Sequence, residues 1–139
     1  MSCESAPDEE GPEEVVREFL ARMERVHGSP QDARAAYELM WSEARKNLGE
    51  RAKRASAAAG RQVAPEEMIA PSRFSLAFLP QEYSSVIQGD WAEVTVSAEQ
   101  PARRKETVRC KREDGRWRVA VRLPSLSPIQ MRDGSDQRP

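Results

Sequence analysis

Between Gly60 and Phe74 the apolar residues of this chain stop recurring every three to four positions and begin to recur every two. A stretch of the first kind buries one stripe of a helix, and a stretch of the second buries one face of a strand. A chain that carries the two in this order needs a layer of helices laid on a sheet. The strand half also states how its strands are joined. Gly89-Asp90 and Asp114-Gly115 each stand between apolar alternations, and both are two-residue hairpin signals, the second the stronger. Around Asp114-Gly115 a two-residue loop pairs Glu113 with Arg116, Arg112 with Trp117, Cys110 with Val119 and Val108 with Val121. One face then reads Val108, Cys110, Trp117, Val119 and Val121; the other reads Arg109, Lys111, Arg116 and Arg118. Such alternation predicts one covered and one wet face.

The expected strands are a first alternation from Arg73 (Phe74, Leu76, Phe78), then Tyr83 to Gln88, Trp91 to Ala98, Val108 to Glu113 and Arg116 to Leu123. Ahead of them, Pro12 suits the first position of a helix, and Glu13 and Glu14 suit its positive end. Val16, Phe19, Leu20, Met23 and Val26 make its stripe, and Gly28 closes it. Ser29-Pro30-Gln31-Asp32 restarts a helix in the manner of a capping box. Ala33, Ala36, Tyr37 and Met40 form its apolar face, with Trp41 at the end. Ser42 is expected to cap a third helix over Glu43 to Ala59, stopped by Gly60, and Pro65 to Ile69 read as one more helical turn.

With 139 residues there is room for one core, and no metal or disulfide is needed to hold it. Residues 1–11 read as a flexible acidic leader, 12–123 as a single α+β domain and 124–139 as a loose C-terminal tail. The two cysteines, Cys3 and Cys110, have no metal-ligand spacing, and one histidine, His27, excludes a site built from several. No motif calls for a cofactor. The net charge of −1 hides a segregation. Residues 1–14 carry six acids and no base, whereas 103–122 carry nine bases against three acids. These two regions are expected to attract each other weakly, under salt screening.

The opening Glu13-Glu14-Val15-Val16-Arg17-Glu18-Phe19-Leu20, the Ala35-Ala36-Tyr37-Glu38-Leu39 helix and the paired hairpins at Gly89-Asp90-Trp91-Ala92-Glu93-Val94 and Asp114-Gly115-Arg116-Trp117 occur in an order that resembles the nuclear transport factor 2-like superfamily, over residues 12–123. The resemblance implies N-terminal helices packed on a curved, cone-like C-terminal antiparallel sheet, as in its small bacterial members of unknown role. It does not imply one function, because the superfamily holds isomerases, dehydratases and transport adaptors. Its enzymes place Asp, His or Tyr inside the cone, where burial tunes an acid or base. No strand acid is expected to point inward here: Glu93 alternates with Ala92 and Val94, and Glu99 and Glu106 flank a loop. Tyr37 and Tyr83 are the candidate pocket residues, and buried tyrosines with one hydrogen bond are the plainer expectation. His27 suits a helix C-terminus, and Cys110 and Trp117 suit the core.

The feature above background is the row Arg109, Lys111, Arg116, Arg118 and Arg122, with Arg103, Arg104 and Lys105 in the neighbouring loop. It suits an acidic protein segment or another anionic surface. Set against that is a solvated, salt-bridged face whose charges ward off edge pairing. Nucleic acid is disfavoured because no base-stacking aromatic is expected among these arginines. The function expected is a non-catalytic binding or scaffolding domain, with homodimerisation open. The alternative is a small-molecule enzyme or ligand binder using the cone. A cytoplasmic location is expected for the chain as written. Met1-Ser2-Cys3 before a polar acidic spacer also resembles the mature end of a bacterial lipoprotein. The alternative is therefore a cell-envelope protein lipidated at Cys3, and a membrane contact is expected only through that lipid anchor.

Overall fold

In the computed structural model the described residues are 11–70, 76 and 78–126. Cys3, most of the acidic leader, Phe74 and most of the C-terminal tail lie outside them. The fold is α+β: three helices precede a four-stranded antiparallel sheet with strands in the order β1-β2-β3-β4. The helices are α1 (Pro12–Met23), α2 (Pro30–Leu39) and α3 (Ser42–Ala59); the strands are β1 (Glu82–Gln88), β2 (Trp91–Ala98), β3 (Arg104–Glu113) and β4 (Arg116–Val119). Short 3-10 turns occupy Val26–Gly28 and Pro65–Met68. The alternation expected from Arg73 yields no strand at Leu76 or over 78–80.

Local chemistry sets the ends of these elements. Ser29 Oγ accepts the Asp32 N–H at 3.1 Å, the expected cap of α2. The Asp32 carboxylate turns to α1 instead of back along its own chain. It accepts from Arg22 Nη1 at 2.7 Å and Arg25 Nε at 3.2 Å, riveting α1 to α2. Gly60 ends α3 at φ 71°, a left-handed conformation that costs glycine little. Asp114 and Gly115 both have positive φ, 53° and 78°, as a type I′ turn requires, whereas at Gly89-Asp90 only Gly89 does, the pattern of type II′.

The hairpin register is the expected one from Cys110↔Val119 to Glu113↔Arg116. The expected Val108–Val121 pair does not form, because β4 stops at Val119, where the Val121 N–H folds back onto the Val119 carbonyl at 2.9 Å. β3 is longer than expected, since β2 recruits Arg104 to Thr107 as partners for Ala98 to Thr95. The inner face of the sheet carries Ala92, Val94, Val96, Ala98, Cys110, Trp117 and Val119, all buried. α1 crosses this face and adds Val15, Val16, Phe19 and Met23 to the same core, while Met40, just past the end of α2, and Ala44 and Leu48 of α3 close it. Trp117 is buried in that cluster with Val16 and Phe19, and the Arg112 guanidinium lies over its ring at 4.6 Å.

A basic outer sheet face with a tryptophan at its centre

The opposite face of the sheet is built by the same alternation. If Ala92, Val94 and Val96 point inward, Trp91, Glu93 and Thr95 point outward. Cross-strand pairing then lines up Gln88, Trp91, Lys111 and Arg118 in one row and Val86, Glu93 and Arg109 in the next. Trp91 is half-buried beneath cations: Arg109 lies 4.4 Å and Lys111 Nζ 5.2 Å from its ring centroid. The expectation that no aromatic interleaves with these bases is thereby corrected. A nucleobase seeking the Trp91 ring would have to displace one of the cations. Beside it, Val86, Gln88, Trp91, Glu93 and Arg109 line a shallow depression of about 290 Å³.

A second tryptophan braces the first. Trp41, between α2 and α3, meets Trp91 edge-on, with ring centroids 5.8 Å apart and planes at 68°. Its backbone N–H donates to the Val119 carbonyl at 3.0 Å and its Nε1–H to the Val121 carbonyl at 2.8 Å. With Met40 bridging to Val119 in parallel, this junction covers the free edge of β4.

The five basic residues singled out from sequence do not act alike. Arg109, Lys111 and Arg116 lie on the outer face, and among the described residues no carboxylate oxygen comes within 4.0 Å of their charged groups. Glu93 stands directly opposite Arg109 without pairing with it. Arg118 is half-buried: its Nη1 donates to the Glu38 carbonyl at the end of α2, and its Nε is buried without a partner. Burial, then the nearby Arg45 and Arg116, lower its pKa. Arg122 lies past the end of β4 and borders the helix side of the sheet. Of the bases expected in the loop, Arg104 and Lys105 belong to β3.

Glu113 has a structural task. Its carboxylate accepts the Ser42 N–H at 3.1 and 3.2 Å and the Ser42 hydroxyl at 2.7 Å, and Arg45 approaches to 3.6 Å. The α3 cap is therefore a strand residue from the tip of the hairpin, and Ser42, expected as the cap, is the first helical residue.

On the inner side, Phe19, Leu20, Val108, Val119 and Val121 wall a cavity of about 440 Å³, with Glu106 and Arg122 among its lining. Glu106 belongs to β3, opposite the inward Val96, and so shares the inner face rather than flanking a loop. It is exposed at the end of the sheet. Tyr83 packs under the Arg17 guanidinium at 4.5 Å, whereas Tyr37 lies under Arg34 at 5.0 Å and borders a separate depression with Ser42 and Arg45. The two candidate pocket tyrosines are thus not brought together. Cys110 is fully buried, and burial pushes its thiol up to about 12. Among the described residues no cluster of three or more His, Cys, Asp or Glu is placed to hold a metal, and no helix is long and apolar enough to cross a membrane. Compared with protein-family models, curated proteins and solved structures, the chain has no match.

Proposed function

We propose that this chain is a non-catalytic binding or scaffolding domain that takes an acidic protein segment on the outer face of its sheet. One observation carries the reading: Arg109 and Lys111 over Trp91, and Arg116 on the same face, have no carboxylate within 4.0 Å among the described residues, while Arg22, Arg25, Arg34 and Arg61 on the helical side are ion-paired. A sheet face charged only for solubility would pair its own acids and bases, and here Glu93 leaves Arg109 free. An incoming carboxylate therefore gains these charges without breaking an internal pair. Each exposed contact contributes up to about 1 kcal/mol, so affinity rests on several contacts at once and falls with salt. Trp91 holds the Arg109 and Lys111 cations over its ring and so presents the two charges together on the face.

The test is fluorescence anisotropy of a labelled glutamate-rich peptide, with anionic vesicles and single-stranded nucleic acid as parallel arms. Peptide binding that weakens with salt and is lost in an Arg109→Glu/Lys111→Glu/Arg116→Glu variant supports the proposal. Equal binding by that variant, or preference for vesicles or nucleic acid, refutes it.

The cavity between α1 and β3, with an apolar wall and Glu106 and Arg122 in its lining, favours a second reading, a small-molecule binder of the kind the superfamily resemblance implies. It predicts that apolar ligands raise the melting temperature of the wild type and fail to do so in a Val108→Trp variant that fills the space.

A further inference from the structure

We infer that the free edge of β1 is a docking surface for the β1 strand of a second copy, giving one sheet continuous across a two-fold axis. β4's edge is already covered by Met40 and Trp41. Among the described residues β1, at the other end of the order β1-β2-β3-β4, pairs only with β2. Strand edges that stay solitary are blunted by Lys, Pro, bulges or a covering segment. β1 has seven residues, no Pro, no base and a single charge at its first position, Glu82. The large hydrophobic residues exposed among the described residues gather here: Leu79 (74%) just before the strand, then Val86 (62%) and Ile87 (50%) within it.

The backbone specifies an extended strand as the occupant. In a two-residue hairpin the flanking residues, Gln88 and Trp91, exchange the closing hydrogen bonds, and alternate residues follow suit. Glu82, Ser84, Val86 and Gln88 thus direct their N–H and C=O groups at β2, and Tyr83, Ser85 and Ile87 direct theirs away. The same parity holds across the sheet: Ala120 N–H bonds Arg109 C=O inside it, while the outward Val119 C=O is the group Trp41 takes.

A second copy matches this pattern in one register that uses the whole strand. With the two-fold at Ser85, Ser85 lies opposite Ser85, Tyr83 opposite Ile87, Ser84 opposite Val86 and Glu82 opposite Gln88. Each outward N–H and C=O of Tyr83, Ser85 and Ile87 then finds a partner, and same-face residues stay on their face. Tyr83 with Ile87 is an aromatic and β-branched pair, a favourable cross-strand combination. Within the strand pair itself no like charges lie opposite each other, because Glu82 faces Gln88. The Glu13 carboxylate of α1, which accepts from the Ser85 hydroxyl at 2.9 Å, approaches its copy's equivalent near the axis, so the association should strengthen with salt. The two basic outer faces become neighbours on one surface, although the inference does not depend on what that surface binds.

The test is sedimentation equilibrium of the full chain from micromolar to millimolar concentration. The expected result is a reversible shift from 15.7 kDa to twice that mass. Ile87→Pro removes an N–H that faces away from β2, so it should weaken dimerisation roughly tenfold or more while leaving the circular dichroism of the monomer intact. In a Cys3→Ser background, a mixture of Ser84→Cys and Val86→Cys chains should form the mixed disulfide faster than either forms its own. These positions form a non-hydrogen-bonded pair, with Cα atoms about 4.5 Å apart. A monomer at every concentration, a dimer indifferent to Ile87→Pro, or dominant self-linking of Val86→Cys would each overturn the inference.

Discussion

Replacing Trp117 with Ala removes the largest side chain that the sheet contributes to the core. Trp117 is only 8% exposed, packed in the cluster with Val16 and Phe19, and topped by the Arg112 guanidinium at 4.6 Å. A buried tryptophan withdraws roughly 150–250 Å² from water, and at about 25 cal/mol per Å² this alone comes to about 4–6 kcal/mol. Partial collapse of the space brings the expected loss to about 3–5 kcal/mol, a large share of the roughly 5–15 kcal/mol that holds a domain together. With a urea m-value near 2 kcal/mol/M, the midpoint should fall by roughly 2 M. Circular dichroism is the suitable readout, because the substitution also removes a fluorophore. Trp91→Ala is the control: half-buried on the outer face, it should cost about 1–2 kcal/mol, since less area leaves water on folding. If Trp91→Ala destabilises as much as Trp117→Ala, or Trp117→Ala shifts the midpoint hardly at all, the assignment of inner and outer faces is wrong.

Three further outcomes follow from single contacts. Arg22, then Arg25 and Ser29, hold the Asp32 carboxyl below its usual range, so Asp32 stabilises the fold above its unfolded pKa of about 4, and that contribution disappears as pH falls through the lower folded value. Asp32→Asn should therefore melt lower than wild type at pH 7, with the gap narrowing in acid below about pH 4; a gap constant with pH would contradict the ion-pair account. Glu113→Ala removes the cap of α3 and should cost about 0.5–2 kcal/mol in urea denaturation, whereas a neutral result would mean the Ser42 contacts carry no energy. Cys110, buried with its thiol pushed up to about 12, should stay unlabelled by a thiol reagent at pH 8 in a Cys3→Ser variant until urea is added; prompt labelling of the native chain would refute its burial.

What the sequence made legible was local. The two hairpin turns follow from residues that tolerate positive φ at Gly89, Asp114 and Gly115, and the α3 stop follows from Gly60 for the same reason. The register across Asp114-Gly115 follows from loop length and the apolar alternation, which is why Cys110 and Val119 could be paired in advance. What needed the folded chain was set by distant partners. Arg104, Lys105 and Glu106 do not favour a strand by themselves, and the pairing with Thr95 to Ala98 makes the segment one. β4 ends early because Trp41 and the Val121 turn claim Val119. Glu113 caps a helix that begins 71 positions away, a contact no sequence window contains. Trp91 is the instructive miss. The alternation that sends Glu93 outward sends Trp91 outward too, so the aromatic centre of the basic face was already written in Trp91-Ala92-Glu93-Val94. Its bracing by Trp41 was not.

The most direct test of an acidic partner on the outer face is residue-resolved. Isotope-labelled chain is titrated with a glutamate-rich peptide at low salt and followed by amide and indole chemical shifts. The account predicts that shifts concentrate at Trp91, Arg109, Lys111 and Arg116 and at the Trp41 indole, and that they vanish when salt is raised. Shifts confined to Phe19, Leu20 and Val121 around the inner cavity, or no shifts at all, would contradict it.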